Sequence, residues 1–218
     1  MRKNKSKSYE YIENLIGAES EAKQTARTNS EKLGLGAISL SSVEAGLLSF
    51  LVDQIKAEKI VEIGTLTGLS ALYLLEKADT KSFLWTLEKE EKHAEMAAQV
   101  LQNYISENRC EILVGDAREK LQELSSKAPF DLIFIDGNKA AYLDYFNWAE
   151  QNIRVGGLIV LDNVFLAGSV WGDTSQQKFN DKQIKTLQSV NEKAFKTPHF
   201  NSVMIPTEEG LLICKKIS

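Results

Sequence analysis

Asp136, Asp162 and Asn163 are the residues of this chain whose types and places best suit chemistry. Asp136 follows the apolar run 131–135 and opens Asp136-Gly137-Asn138-Lys139, while Asp162-Asn163 follows the run 158–161. Two acids and an amide at the ends of adjacent apolar segments form an oxygen-only donor set. Such a set selects a hard cation, Mg²⁺ or Ca²⁺, with water or substrate completing its shell. Zinc favours His or Cys, and neither stands nearby in the sequence. Lys139 falls at the start of a helical stretch, where the helix dipole disfavours a cation. A lysine placed against that preference reads as functional. The plain alternative is that both acidic segments are turns.

A second group lies earlier in the chain. The run 60–63 leads into Glu62-Ile63-Gly64-Thr65-Leu66-Thr67-Gly68-Leu69-Ser70. Glycines at 64 and 68 permit a sharp turn and close approach to a ligand, but their spacing is not the G-x-G-x-x-G of dinucleotide enzymes. Glu62 repels a pyrophosphate and suits a ligand with positive charge. Glu88 ends the next apolar run, a place from which an acid can accept hydrogen bonds from ribose hydroxyls. A nucleoside with a cationic group meets both conditions, which points to S-adenosylmethionine and away from a nicotinamide cofactor. Asp116 ends the following run and reads equally as a helix N-cap or a ligand contact.

These residues need a scaffold that gathers strand ends. Short apolar runs at 60–63, 83–87, 111–114, 131–135 and 158–161 alternate with amphipathic stretches near 68–77, 91–108, 117–126 and 139–152. That rhythm predicts a parallel sheet covered by helices on both faces. A helix near 178–194 and two strands, 200–205 and 211–215, joined by Glu208-Glu209-Gly210, then close the sheet with an antiparallel hairpin. The expectation is an α/β fold with a doubly wound, Rossmann-like, seven-stranded mixed sheet. Before it, residues 1–56 read as helices, with Ser41 or Ser42 capping one that carries Val43, Leu47, Leu48, Leu51 and Val52.

Composition excludes several classes. With 43% hydrophobic and 26% charged residues, the chain is not disordered. No apolar run reaches the roughly 20 residues of a membrane span, and no apolar segment follows the basic residues at the start as in a secretory signal. Cys110 and Cys214 read as buried hydrophobes in a reducing, cytoplasmic setting. His93 and His199 read as surface or packing residues.

The segments 62–70, 130–139 with Tyr142, and 155–163 followed by Gly168-Ser169-Val170 resemble the cation-dependent class I O-methyltransferases. Caffeoyl-CoA O-methyltransferase and its bacterial relatives are the nearest group, and catechol O-methyltransferase is a more distant cousin. The resemblance implies one methyltransferase domain over residues 1–218. Within it, helices in 1–56 shape the substrate mouth or a dimer contact, and residues 57–218 form the core. It implies that Asp136, Asp162 and Asn163 hold the divalent metal. Glu62, Gly64, Thr65, Ser70, Glu88 and Ala117 line the S-adenosylmethionine pocket, with Asp116, Asp136 and Asn138 beside it. Lys139 is the implied general base, and the family is commonly dimeric.

Two departures bear on substrate. Asn138 stands where the family usually has an acid that contacts the cofactor, and Leu166 and Ala167 stand where plant enzymes carry a Trp and an Asn. A phenylpropanoid-CoA acceptor is therefore disfavoured, and Trp171 is a candidate aromatic wall. The first expectation for the acceptor is a catechol-like small molecule whose two oxygens can chelate the metal. The alternative is a 5-hydroxyuridine in transfer RNA, met by Arg2, Lys3, Lys5, Lys7 and the tail lysines 178, 182, 185, 193 and 196.

Overall fold

The computed structural model describes residues 7–173, 175, 178–207 and 209–218; Arg2, Lys3, Lys5 and Glu208 lie outside them. In chain order the elements are α1 (Lys7–Ile16), α2 (Glu21–Lys32), α3 (Ser42–Ile55), β1 (Lys59–Ile63), α4 (Leu69–Glu76), β2 (Phe83–Glu88), α5 (Glu91–Ser106), β3 (Cys110–Val114), α6 (Ala117–Leu124), β4 (Phe130–Ile135), α7 (Tyr142–Asn152), β5 (Ile153–Leu161), α8 (Asp181–Lys196), β6 (Phe200–Ile205) and β7 (Leu211–Lys216). The strand order is β3-β2-β1-β4-β5-β7-β6. This is the expected Rossmann-like, doubly wound order, with β6 and β7 antiparallel as predicted. Among the described residues, no helix is long and apolar enough to cross a membrane.

The chain forms two compact units. The first comprises residues up to Glu58 together with Thr65–Asp116. Ser41 caps α3 through a capping box, accepting from the Glu44 amide while the Glu44 carboxylate accepts from the Ser41 amide. Ala45, Leu48 and Val52 of α3 are buried, whereas α1 buries none of its residues and leaves Tyr11 and Leu15 exposed. In the same unit β2 and β3 pair in parallel.

The second unit comprises Lys59–Gly64 and Ala117–Ser218. Here β1, β4 and β5 run parallel and β7 joins β5 antiparallel. Leu132, Ile133, Phe134 and Ile135 of β4, and Ile159, Val160 and Leu161 of β5, are fully buried, which explains their continuous apolar runs. β5 begins at Ile153, earlier than its apolar run suggests, because a register shift lies opposite Phe130/Leu132. Gly156 is left-handed there (φ 81°), and a Cβ on Gly157 would stand 2.9 Å from the Asp131 carbonyl oxygen. The two glycines make a bulge and a close strand approach rather than a turn. Cys110 and Cys214 are both buried free thiols in strands.

Candidate active site

The sheet order reverses between β1 and β4, and in open α/β sheets ligands bind at the carboxyl ends of strands at such a switch. Both strands belong to the second unit. Ile63 pairs with Ile135, and Ile135 with Leu161. Gly64, Asp136 and Asp162 are therefore the next residues beyond three strands in register. Backbone bonds continue the ladder past their ends: the Asp136 amide donates to Ile63 O (2.9 Å) and the Asp162 amide to Ile135 O (3.1 Å). Gly64 adopts φ 106°, and a Cβ there would stand 2.3 Å from the Asp136 carbonyl oxygen. Only glycine permits that approach.

Asp162 is wholly buried, Asp136 is half-buried, and Asn163 takes the left-handed conformation (φ 58°). The loop after Asn163 is held by the β6–β7 turn. Val164 and Phe165 amides donate to the Gly210 and Glu209 carbonyls at 3.2 and 3.0 Å, and a Cβ on Gly210 would strike the Phe165 ring at 2.5 Å. Leu166 and Ala167 follow with left-handed backbones, a cluster of unfavourable conformations of the kind found at functional loops.

Lys139 opens a 3₁₀ turn, Lys139–Ala141, that leads into α7. Its ammonium donates to Asp136 Oδ1 (2.7 Å) and to the Tyr142 hydroxyl (2.6 Å). The Tyr142 hydroxyl is shared between the Asp162 carbonyl (3.0 Å) and the Ile135 carbonyl (3.2 Å). Burial, then the charges of Asp136 and Asp162, hold this phenol well above its ordinary pKa, so it remains a neutral hydroxyl. Asn138, exposed, accepts the Ala140 amide through its side chain and so caps the 3₁₀ turn. Glu62 is fully buried in β1.

The remaining predicted residues lie mostly in the first unit. Thr65 is buried, its hydroxyl bonded to Thr86 Oγ1 at 2.5 Å and its amide donating to Leu87 O. Glu88 is buried, and its two oxygens accept the Leu66 amide (2.7 Å) and the Glu90 amide (2.9 Å), with His93 Nδ1 at 3.5 Å. That geometry fixes the carboxylate, and each oxygen retains a second acceptor site. Ser70 is buried in the first turn of α4, behind Gly68, whose added Cβ would meet Val100 of α5 at 3.0 Å. Asp116 is half-buried beyond β3. Ala117, half-buried, starts α6 in the second unit. His199 finds Glu150 at 2.7 Å.

The donor chemistry of Asp136, Asp162 and Asn163 fits a hard dication: all three offer oxygen, and two bring charge. Among the described residues no cluster of three or more His, Cys, Asp or Glu is gathered for a metal, so a cation here relies on two carboxylates and one amide. Tyr142 is the residue to which sequence reasoning assigned no role. Its signal was its spacing from Lys139, which places both on one side of a turn.

A model of the O-methyltransferase family matches residues 14–217. A catechol O-methyltransferase of Niastella koreensis is 35% identical over 169 residues, covering 77% of this chain and 76% of that protein. One from Mycobacterium tuberculosis is 34% identical over 182 residues, covering 84% and 82%. The O-methyltransferase TomG of Streptomyces achromogenes, solved in complex with S-adenosylmethionine, superposes with a TM-score of 0.85 at 28% identity, covering 97% and 96%.

Proposed function

Because the chain belongs to the O-methyltransferase family and is an S-adenosylmethionine-dependent O-methyltransferase, we propose that it methylates one hydroxyl of a catechol-like small molecule with the help of a divalent cation. The observation that carries this reading is the register of β4 and β5, which sets Asp136 and Asp162 at adjacent strand ends with Lys139 bonded to Asp136. Relatives named catechol O-methyltransferases support the acceptor class.

Methyl transfer from a sulfonium is an in-line displacement: the oxygen–carbon bond forms as the sulfur–carbon bond breaks, and S-adenosylhomocysteine departs with a neutral sulfur. The nucleophile must be an oxyanion held close to the methyl carbon. A phenolic hydroxyl has a pKa of about 10 and is mostly protonated at neutral pH. Asp136, Asp162 and Asn163 would hold a divalent cation, whose charge would favour the acceptor's deprotonated oxygen. Lys139 Nζ, which donates to Asp136 and Tyr142 as the ammonium, first yields a proton to solvent and, as the neutral amine, then takes the proton of the acceptor hydroxyl. Of the residues assigned to the methyl donor, Glu62, Gly64, Ala117, Asp136 and Asn138 belong to the second unit and Thr65, Ser70, Glu88 and Asp116 to the first, where the Thr65 hydroxyl is bonded to Thr86 and its amide to Leu87 O. Trp171, 63% exposed on the loop after Asn163, supplies an aromatic wall for the acceptor.

The test is methyl transfer to a panel of vicinal dihydroxy aromatics before and after treatment with EDTA. Activity that vanishes with EDTA and returns with Mg²⁺ is the expected result. Full activity in EDTA overturns the metal requirement, and no product from any dihydroxy aromatic overturns the acceptor class. The transfer-RNA alternative draws no support from the relatives, and two of its lysines, Lys193 and Lys196, are committed to Glu150 and Glu192.

A further inference from the structure

The Tyr142 hydroxyl joins three groups from three places: it accepts from Lys139 Nζ at 2.6 Å and is shared between Asp162 O at 3.0 Å and Ile135 O at 3.2 Å. The residue is fully buried at the start of α7. Packing alone asks only for the ring, because a phenylalanine buries the same apolar surface. One of the carbonyls already has another donor, since Ile135 O accepts the Asp162 amide. The hydroxyl's proton goes toward the strand-end carbonyls, which leaves its lone pairs for the ammonium. Lys139 also lies with Nζ 4.7 Å from the centre of the Tyr142 ring, so ring and hydroxyl both bear on it.

A lysine needs such an anchor. Its long side chain has many rotamers to lose when it is held in one place, and a single ion pair to a half-buried carboxylate holds it weakly. Asp136 alone leaves the ammonium free to swing about one contact. A second acceptor on a rigid, buried ring fixes the nitrogen between two points.

We propose that Tyr142 is a positioning residue for methyl transfer, its hydroxyl clasping the Lys139 ammonium against Asp136 and tying that clasp to the ends of β4 and β5. This rests on the reading of Lys139 as the group that takes the acceptor's proton.

The experiment compares Tyr142→Phe, Lys139→Ala and the double variant for kcat, acceptor KM, donor affinity by calorimetry and melting temperature, and solves the structure of Tyr142→Phe. Misplacing a reacting group by about 1 Å can cost about 10²-fold, so Tyr142→Phe is expected to lower kcat by about 10- to 100-fold, with donor affinity changed less than about twofold. The double variant is expected to be no slower than Lys139→Ala, because the clasp has nothing left to hold. Losses that multiply in the double variant, or wild-type kcat in Tyr142→Phe, overturn the proposal. If Lys139→Ala keeps full turnover, the proton-acceptor reading alone falls. The structure of Tyr142→Phe then decides the clasp: a displaced Lys139 supports it, and Nζ still on Asp136 Oδ1 overturns it. Should Tyr142→Phe fail to fold, difluorotyrosine at 142 keeps ring and hydroxyl but weakens the acceptor, and unchanged turnover with it overturns the proposal.

Discussion

Gly64 and the Asp136 carbonyl meet so closely that a Cβ at residue 64 would stand 2.3 Å from the carbonyl oxygen. The contact fixes the end of β1 against the end of β4, and the backbone there has φ 106°, a conformation costly for any other residue. Gly64→Ala must push Asp136 aside or distort its own backbone. We expect a loss of about 1–3 kcal/mol in stability from the strained conformation, measured by urea unfolding. Turnover should fall further than that loss explains, since Asp136 moves. A variant with wild-type turnover and stability would show that the strand ends tolerate separation.

Lys139 is the group assigned to the acceptor's proton. General-base help is worth typically about 10²–10⁴-fold, so Lys139→Ala is expected to lower kcat by that order. Calorimetry with S-adenosylmethionine should find binding nearly unchanged. A fall in donor affinity with kcat preserved would instead make Lys139 a binding residue. Lys139→Arg keeps the charge but brings a planar fork in place of a compact ammonium, and should restore little activity.

The strand ends were legible because each apolar run stops at a residue that can do chemistry: Ile63 before Gly64, Ile135 before Asp136, Leu161 before Asp162. Parallel strands buried on both faces announce themselves as continuous runs, so the fold and the placing of Asp136 and Asp162 just beyond adjacent strands followed from the sequence. What did not follow were the long-range partners. Glu88 reads as a ribose-binding acid, yet its oxygens also anchor the Leu66 and Glu90 amides. Thr65 reads as a ligand contact, yet its hydroxyl is turned to Thr86. Asn138 reads as a replaced cofactor acid and also serves as the cap of the 3₁₀ turn. The bracing of the Asn163 loop by Gly210 depends on the β5–β7 pairing, which no local pattern encodes.

Cys214 sits in β7 with no exposed surface, and burial pushes its thiol from the ordinary 9.0 up to about 11, against a smaller opposing effect of Ser202. The fold accepts the neutral thiol and excludes the thiolate. Its contribution to stability is therefore fully present below the unfolded thiol's pKa near 9.0 and is lost as pH rises toward 11. On the order of 2–3 kcal/mol is at stake across that window. Denaturant titrations between pH 8 and about 11 should show stability falling, and Cys214→Ala should flatten the slope. An unchanged slope would mean that other groups carry the alkaline dependence.

Trp171 stands 63% exposed, an unusual place for a large apolar ring. It is steadied rather than buried: its ring meets Phe165 edge-on with centroids 5.1 Å apart, and Gln188 donates to the carbonyl of neighbouring Val170 at 2.8 Å. The loop that carries it leaves Asn163 through left-handed residues at 166 and 167. An aromatic pair is worth about 0.5–1.5 kcal/mol beyond its buried area, which corresponds to roughly a two- to twelvefold change in affinity. Trp171→Ala is accordingly expected to raise the KM of an aromatic acceptor by about two- to twelvefold, while donor affinity and melting temperature stay near wild type because the side chain is largely in solvent. Trp171→Phe should recover most of the loss if the ring is the wall. Equal kinetics for all three proteins would place the acceptor elsewhere, and a fall in melting temperature without a change in KM would leave Trp171 as packing for Phe165.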